Sequence, residues 1–378
     1  MAVYKLFPYK DTTLYSYYPV MNSGMDTIGE IYNTLTIEGT PDISRFLIHF
    51  DQTEIEDIIS TKIGASQWDA YLKSYIAVAQ GINTTSVLEI YPIAQEWNNG
   101  TGEFGDSPQT VDGASWTYSE YSGSNPWSTS GSIGTELFTS SYDPSYASQG
   151  GGNWFYSGSG VLSYKVTQSF ELRSDKDITA NVTTIVSKWY SGSIPNNGFI
   201  IKLTGSQEFN PSQYVQPVFK YYTVDTNTIY PPQLELRWRD YSTVLNGPLS
   251  SSIVTTSNLK LQLNENPGVF YPDSINRFRV NVSPLYPTRT FQTSSYFTDL
   301  NFLPTSSYYA VKDLDTDEFL INFDTDYTQI SSDSEGNYFN IYMNGLEPER
   351  YYKILIKTII NSSTIIFDDH YYFKIVNG

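Results

Sequence analysis

An all-β chain built from two sandwiches is the fold the sequence predicts, and three observations predict it. Charged residues make up 16% of the 378 positions, against about 25% in an ordinary soluble domain. Thirty-three tyrosines fill the gap, alongside many Ser, Thr and Asn. Tyr buries a ring while its hydroxyl still reaches a partner, and with Val, Ile and Thr it favours a pleated, half-buried surface. Finally, short apolar–polar alternations separated by turn residues recur along the chain.

The elements follow in order. Residues 44–50, Ser-Arg-Phe-Leu-Ile-His-Phe, read as a strand ending at Asp51. A helical turn over Thr53 to about Ser60 would place Ile55, Ile58 and Ile59 on one side. Strands are expected at Tyr71–Val78 and Val87–Ile93. Of the 42 residues from Ser119 to Gly160, 25 are Gly, Ser, Thr or Asn and none is Lys or Arg, yet the stretch is rich in rings. A disordered linker lacks rings, so this is expected to be an ordered excursion, within a longer loop at about 98–165. Ile178, Val182, Ile185, Val186 and Trp189 have helical spacing over Asp177–Trp189. Strands Phe199–Leu203, Val218–Tyr222 and Gln233–Trp238 complete a first domain at 1–242.

Pro248, Pro267 and Pro272 punctuate a Ser/Thr/Asn-rich stretch, which reads as a linker or bridging segment at 243–275. A second domain, 276–378, then shows clean alternation at Phe278/Val280/Val282, Phe339/Ile341/Met343 and Tyr352/Ile354/Ile356, with hairpin turns at 313–318 and 333–337. Leu346-x-Pro348-x-x-x-Tyr352 has the spacing of a tyrosine corner, an immunoglobulin/fibronectin-III-like feature that pins one strand to the other sheet.

Composition also narrows function. A net charge of −18 repels phosphate backbones and anionic lipid, so neither nucleic acid nor a membrane is an expected partner. No apolar run approaches the roughly 20 residues of a membrane span, and the first residues lack the plan of a signal peptide. Zero Cys removes disulfides, thiolate metal sites and Cys nucleophiles. Two histidines, His49 and His370, and no Gly-x-Ser-x-Gly elbow give nucleophilic catalysis no support. The expectation is no enzyme activity and no cofactor. Asp313, Asp315 and Asp317 are weak metal candidates, because alternate oxygens can wrap a hard cation. Glu318 stands where a calcium loop needs Gly, which favours a solvated hairpin turn. The ring-bearing excursion is the candidate interaction loop, through Tyr121, Trp127, Phe138, Tyr142, Tyr146, Trp154 and Tyr156. Rings give rigid contact area there and Ser, Gly and Asn give adaptable hydrogen bonds. The competing expectation is that the rings fold inward and hold the loop down.

Several segments resemble, in order, the DNRLRE-type β-sandwich, a carbohydrate-binding-module-like domain. They are Arg45-Phe46-Leu47-Ile48-His49-Phe50-Asp51, Val87-Leu88-Glu89-Ile90-Tyr91 leading to Glu96-Trp97, and Ala114-Ser115-Trp116-Thr117-Tyr118. Asp177-Ile178-Thr179 leading to Trp189-Tyr190-Ser191-Gly192, Asn197-Gly198-Phe199-Ile200-Ile201-Lys202-Leu203 and Pro232-Gln233-Leu234-Glu235-Leu236-Arg237-Trp238 follow. The resemblance implies a jelly-roll-like sandwich with a structural or binding role. The segment between Trp97 and Asp177 is longer than the family shows, so a sugar-binding face is not carried over. Residues 276–378 look like the terminal domain of structural proteins from marine contractile-tailed phages. Pro287-Thr288-Arg289-Thr290-Phe291-Gln292-Thr293-Ser294-Ser295, Asn344-Gly345-Leu346-Glu347-Pro348-Glu349-Arg350-Tyr351-Tyr352 and Asp368-Asp369-His370-Tyr371-Tyr372-Phe373-Lys374-Ile375-Val376 carry that likeness. Together they imply a virion protein of the neck, tail or baseplate, made in the host cytoplasm. Its expected partners are other virion proteins and copies of itself in a symmetric assembly. The alternative is a carbohydrate-binding module of a cell-surface or secreted protein, with a glycan as partner.

Overall fold

A computed structural model describes residues 2–35, 41–82, 85–128, 133–134, 150–156, 163–208, 217–243, 252–286 and 300–377. Strands account for 47% of the chain and helix for 8%, so the fold is all-β. The chain forms two compact units. The larger comprises Leu6–Lys62 and Asp69–Glu235, the smaller Met1–Lys5, Ile63–Trp68 and Leu236–Gly378.

The larger unit is dominated by an eight-stranded, curled sheet. Its order is Val166–Phe170, Ser86–Pro92, Phe199–Leu203, Pro41–His49, Ile28–Leu35, Val218–Tyr222 and Ile76–Gln80, with Lys10–Tyr15 also paired to Pro41–His49. Every pairing is antiparallel. Phe199–Leu203 is buried at all five positions. Such a strand is covered on both faces, and it reads as an unbroken apolar run for that reason.

The helical turn expected after Asp51 is a helix at Gln52–Asp57, capped by the Asp51 carboxylate accepting from Glu54 N–H, and it continues as a π-helical turn over Ile58–Ile63. Ile55, Ile58 and Ile59 are buried. The helix expected over Asp177–Trp189 is corrected. Ile178–Asn181 is a strand paired antiparallel with Tyr71–Ser74, and helix begins at Thr183 and ends at Tyr190. Ile178 and Ala180 alternate with exposed Thr179 and Asn181. A period of two therefore runs into a period of 3.6 at Val182, and the apolar spacing alone does not separate them. Asn181 Oδ1 marks the change by accepting from Thr183 N–H at 3.1 Å.

The smaller unit is a two-sheet sandwich. One sheet orders Leu259–Asn264, Ile275–Pro284, Gly336–Tyr342 and Ser331–Asp333; the other orders Val269–Phe270, Ser363–Ile375, Tyr351–Ile360, Ser307–Asp313 and Phe319–Ile321. Phe278, Phe339, Tyr309 and Phe373 meet between them, with Tyr309 stacked on Phe339 at 4.4 Å. The 243–275 linker is corrected accordingly. Leu259, Leu261 and Phe270 are core residues of this sandwich, and Leu259–Asn264 pairs with Ile275–Pro284. The Leu259/Leu261/Leu263 alternation was present but is short and framed by prolines. The tyrosine corner is in place: buried Tyr352 donates its hydroxyl proton to the Glu347 carbonyl at 2.9 Å.

Candidate functional site

The chain's most unusual side chains lie where the excursion is rooted in the larger unit. Trp127 and Trp154 are buried, in one cluster with Leu14, Ile43, Leu47, Tyr91, Ile93, Trp97, Ala114, Trp116 and Ile200. Trp127 Nε1–H donates to the Ser115 carbonyl at 2.9 Å. These two rings are therefore core residues, which corrects their assignment to an interaction surface. Their position has a reason: the short stretches around them, 125–128 and 150–156, carry no charge and can bury their rings against the sheet, and the Trp127 indole N–H finds a carbonyl. Tyr121 and Tyr156 keep exposed rings, set against Tyr118 and Tyr91 respectively. Phe138, Tyr142 and Tyr146 lie outside the described residues.

Beneath this foot sits a buried charge network that the sequence reading missed. Arg45 is 1% exposed and clasps Glu208 in a bidentate pair, Nε to Oε1 at 2.7 Å and Nη2 to Oε2 at 2.9 Å. Its third arm, Nη1, donates to the Gly151 carbonyl at 2.6 Å, and the guanidinium lies between the Trp116 and Trp154 rings at 5.0 and 5.3 Å. Lys202 bridges Glu208 at 3.5 Å and Glu89 at 3.3 Å. Lys165 closes the outer end on Glu89 at 2.9 Å. Burial pushes the Glu208 carboxyl up, but Arg45 and Lys202 outweigh it and hold it below the usual range. Gly151 is obligatory here. Its φ is +77°, and a Cβ would stand 2.7 Å from Arg45 Nη1 and 2.8 Å from the Trp116 ring. The signal in the sequence was a charged residue inside each of two apolar strands, Arg45 and Lys202. Three cations and two carboxylates that satisfy one another pin a loop.

A cleft of about 670 Å³ opens nearby, lined by Tyr9, Lys10, Gln95, Glu96, Trp97, Asn98, Asn99, Ser119, Glu120, Asn125 and Pro126. Gln95 is held rigid. Its amide donates to Ser119 Oγ and the Pro126 carbonyl, and its Oε1 accepts from Ser128 N–H and Asn153 Nδ2. Lys10 lies 4.4 Å over the Trp97 ring and donates to the Trp97 carbonyl at 2.5 Å. The Tyr9 ring is exposed while its hydroxyl bonds His49 Nδ1 at 2.9 Å.

Burial and the neighbouring Lys10 charge push His49 down to about 4. The folded state thus binds its proton more weakly than the unfolded chain, near 6.5. His49 contributes stability that is full above about pH 6.5 and is lost as pH falls through 4. Asp26, pushed up to about 6 by burial and then by Glu103, Glu30 and Asp106, works in the opposite sense. Comparison of His49→Gln with the parent isolates the histidine. The parent should lose about 2–3 kcal/mol relative to the variant between pH 7 and pH 4.5, read from urea midpoints. A pH-independent difference would show that His49 does not titrate as a buried neutral ring.

The three metal candidates do not converge. Asp313 is bound by Arg350, Nε to Oδ2 and Nη2 to Oδ1, both at 2.7 Å, and its Oδ1 also accepts from the Asp315 and Thr316 N–H groups. Asp317 pairs with Lys312 at 2.7 Å, and Asp315 is largely exposed. Among the described residues no group of three or more His, Cys, Asp or Glu is arranged to hold a metal. These oxygens cap a hairpin turn. His370 stands at a bulge with φ +59° and bonds the Tyr372 hydroxyl at 2.8 Å.

No helix among the described residues is long and apolar enough to cross a membrane. No family model and no curated protein matches the chain. Among solved structures it is similar to a DUF4785 family protein from Legionella pneumophila subsp. pneumophila, at 5% identity and a TM-score of 0.19, over 98% of this chain and 66% of that one. The chain thus spans just under two thirds of that protein, and likeness at this level supports no inference about fold or function.

Proposed function

We propose that this chain is a non-enzymatic structural protein of a tailed-phage virion, working in the neck, tail or baseplate through contacts with neighbouring subunits. The observation that supports this reading best is the outer face of the five-stranded sheet in the smaller unit. Register places Val269, Lys374 and Tyr351 in one row, Tyr372, Lys353, Lys312 and Phe319 in the next, and Ile366, Lys357 and Tyr308 in a third. Val269, Tyr351, Tyr372, Phe319 and Ile366 are all exposed. Scattered exposed apolar residues need no explanation, whereas several sharing one sheet face mark an interaction surface. Three of the four lysines between them are paired locally, Lys312 with Asp317, Lys353 with Asp368 and Lys374 with Glu349, and the fourth, Lys357, lies over the Tyr308 and Phe323 rings at 5.1 and 4.8 Å. Many such contacts in a symmetric array give a stable assembly through effective concentration.

The test is direct. Mass spectrometry of purified particles should find the chain, and Tyr351→Ala with Phe319→Ala should lower its incorporation about tenfold while thermal unfolding is unchanged. A chain missing from purified virions overturns the proposal. The polar cleft beside Tyr9, with its fixed amides, favours the second reading, glycan binding. Under that reading a neutral oligosaccharide should bind the purified chain and Tyr9→Ala should abolish the binding.

A further inference from the structure

The Ser363–Ile375 strand is 13 residues long, and its two halves are treated differently on the side away from Tyr351–Ile360. The second half is guarded. Val269–Phe270 pairs with Lys374 and Ile375, and Asn266 Nδ2 donates to the Tyr372 carbonyl at 3.0 Å. A register shift and His370 at φ +59° break the line, and Asp368 and Asp369 put charge on it. These are the devices by which sheet edges avoid pairing with other chains. The first half carries none of them. Ser363-Thr364-Ile365-Ile366-Phe367 is uncharged and rich in β-branched residues, and among the described residues no strand pairs with its outer side.

The bonding parity of this edge is set by its hairpin. Asn361 and Ser362, at φ +50° and +63°, form a two-residue turn, and Ile360 pairs with Ser363. Ser363, Ile365 and Phe367 therefore turn their backbone groups toward Tyr351–Ile360. Thr364 and Ile366 turn theirs to solvent.

We propose that Ser363–Phe367 pairs antiparallel with the same segment of a second copy, about a two-fold axis at Ile365, joining two sheets edge to edge. This deepens the assembly reading and rests on it for its role in a particle. The argument for a second copy is self-complementarity. In this register Thr364 of each copy lies opposite Ile366 of the other, so the outward N–H and C=O groups meet their partners. Asp368 and Asp369 fall opposite Ser362 and Asn361, and no carboxylates oppose each other. On the outer face Ile359, which lies opposite Thr364, continues the row across the junction, and cross-strand β-branched contacts of this kind stabilise a sheet.

The experiment uses the purified full-length chain, which has no Cys of its own. Ile365→Cys places a thiol opposite its own copy in a non-hydrogen-bonded pair, a geometry a disulfide can span. Mild oxidation should give a covalent dimer for Ile365→Cys and about tenfold less for Ser363→Cys, which in this register faces Phe367 of the other copy. In sedimentation, Ile366→Lys and Thr364→Pro should each weaken self-association about tenfold or more. Their unfolding midpoints should stay close to the parent's, since the strand register turns Thr364 N–H away from Tyr351–Ile360 and no strand among the described residues pairs with that side. Equal cross-linking of the two Cys variants, or association untouched by Ile366→Lys and Thr364→Pro, overturns the proposal. Pairing with a strand from a different protein and not with itself overturns it too. None of these readouts requires a particle, so their failure is distinct from the chain being missing from virions.

Discussion

Arg45→Met should destabilise the larger unit by about 3–5 kcal/mol, the loss expected when one partner of a buried ion pair is removed. Three effects add. Glu208 stays fully buried and loses a bidentate partner, with Lys202 at 3.5 Å as its remaining cation. The Gly151 carbonyl loses its donor at 2.6 Å. The Trp116 and Trp154 rings lose the guanidinium between them. The variant also has a pH signature of known sign. With Arg45 gone, burial dominates and raises the Glu208 pKa above its unfolded value. A group so raised stabilises the fold at low pH and ceases to as pH rises through its folded pKa, so the deficit should shrink on acidification. Arg45→Met with Glu208→Leu removes both charges and should recover most of the loss, because apolar replacement of a whole buried pair is often close to neutral. Denaturant unfolding followed by Trp fluorescence measures this, and the smaller unit's transition serves as the internal control. A single-variant deficit under about 1 kcal/mol would show that the pair behaves as a surface salt bridge.

Much of the fold was legible because burial leaves a period in the sequence. Phe199–Leu203, Val218–Tyr222 and Gln233–Trp238 fall on the strands read from composition and alternation. The tyrosine corner was legible because its Leu-x-Pro-x-x-x-Tyr spacing encodes one hydrogen bond. The misreadings have equally local causes. At Val182 two periods join without a break in the apolar pattern. At Leu259–Asn264 a genuine alternation sits among prolines and serines that look like a linker. The site was harder, because a ring's spacing does not say which way it points. Trp127 and Tyr121 stand six residues apart in one Gly/Ser-rich stretch, and one is core while the other is exposed. The Arg45–Glu208 pair joins positions 163 apart in sequence. A lone cation in a strand signals that a buried partner is needed but not where it is.

Trp154→Ala should likewise cost about 3–5 kcal/mol, the range for truncating a fully buried large ring. The indole is 1% exposed and packs 5.5 Å from the Tyr91 ring. It also covers Arg45 and Lys202, at 5.3 and 5.4 Å. Its backbone pairs with Gly134 on one side and bridges Ile93 on the other. Removing the ring opens a space beside charged groups. Unlike an apolar cavity, that space can admit water, since water enters where polar partners line the void. Hydration of Arg45 and Lys202 would return part of the loss, which favours the lower end of the range. Trp154→Phe keeps most of the packing and should lose less than half as much. Tyr156→Ala, two residues on but exposed, should change stability by under about 0.5 kcal/mol. The contrast separates two roles in one short segment. If Trp154 pins the excursion and Tyr156 faces outward, the two variants differ by several-fold in unfolding free energy. If Trp154→Ala unfolds at the parent's denaturant midpoint, the ring is not a structural pin, and the excursion must be held by its backbone pairing alone.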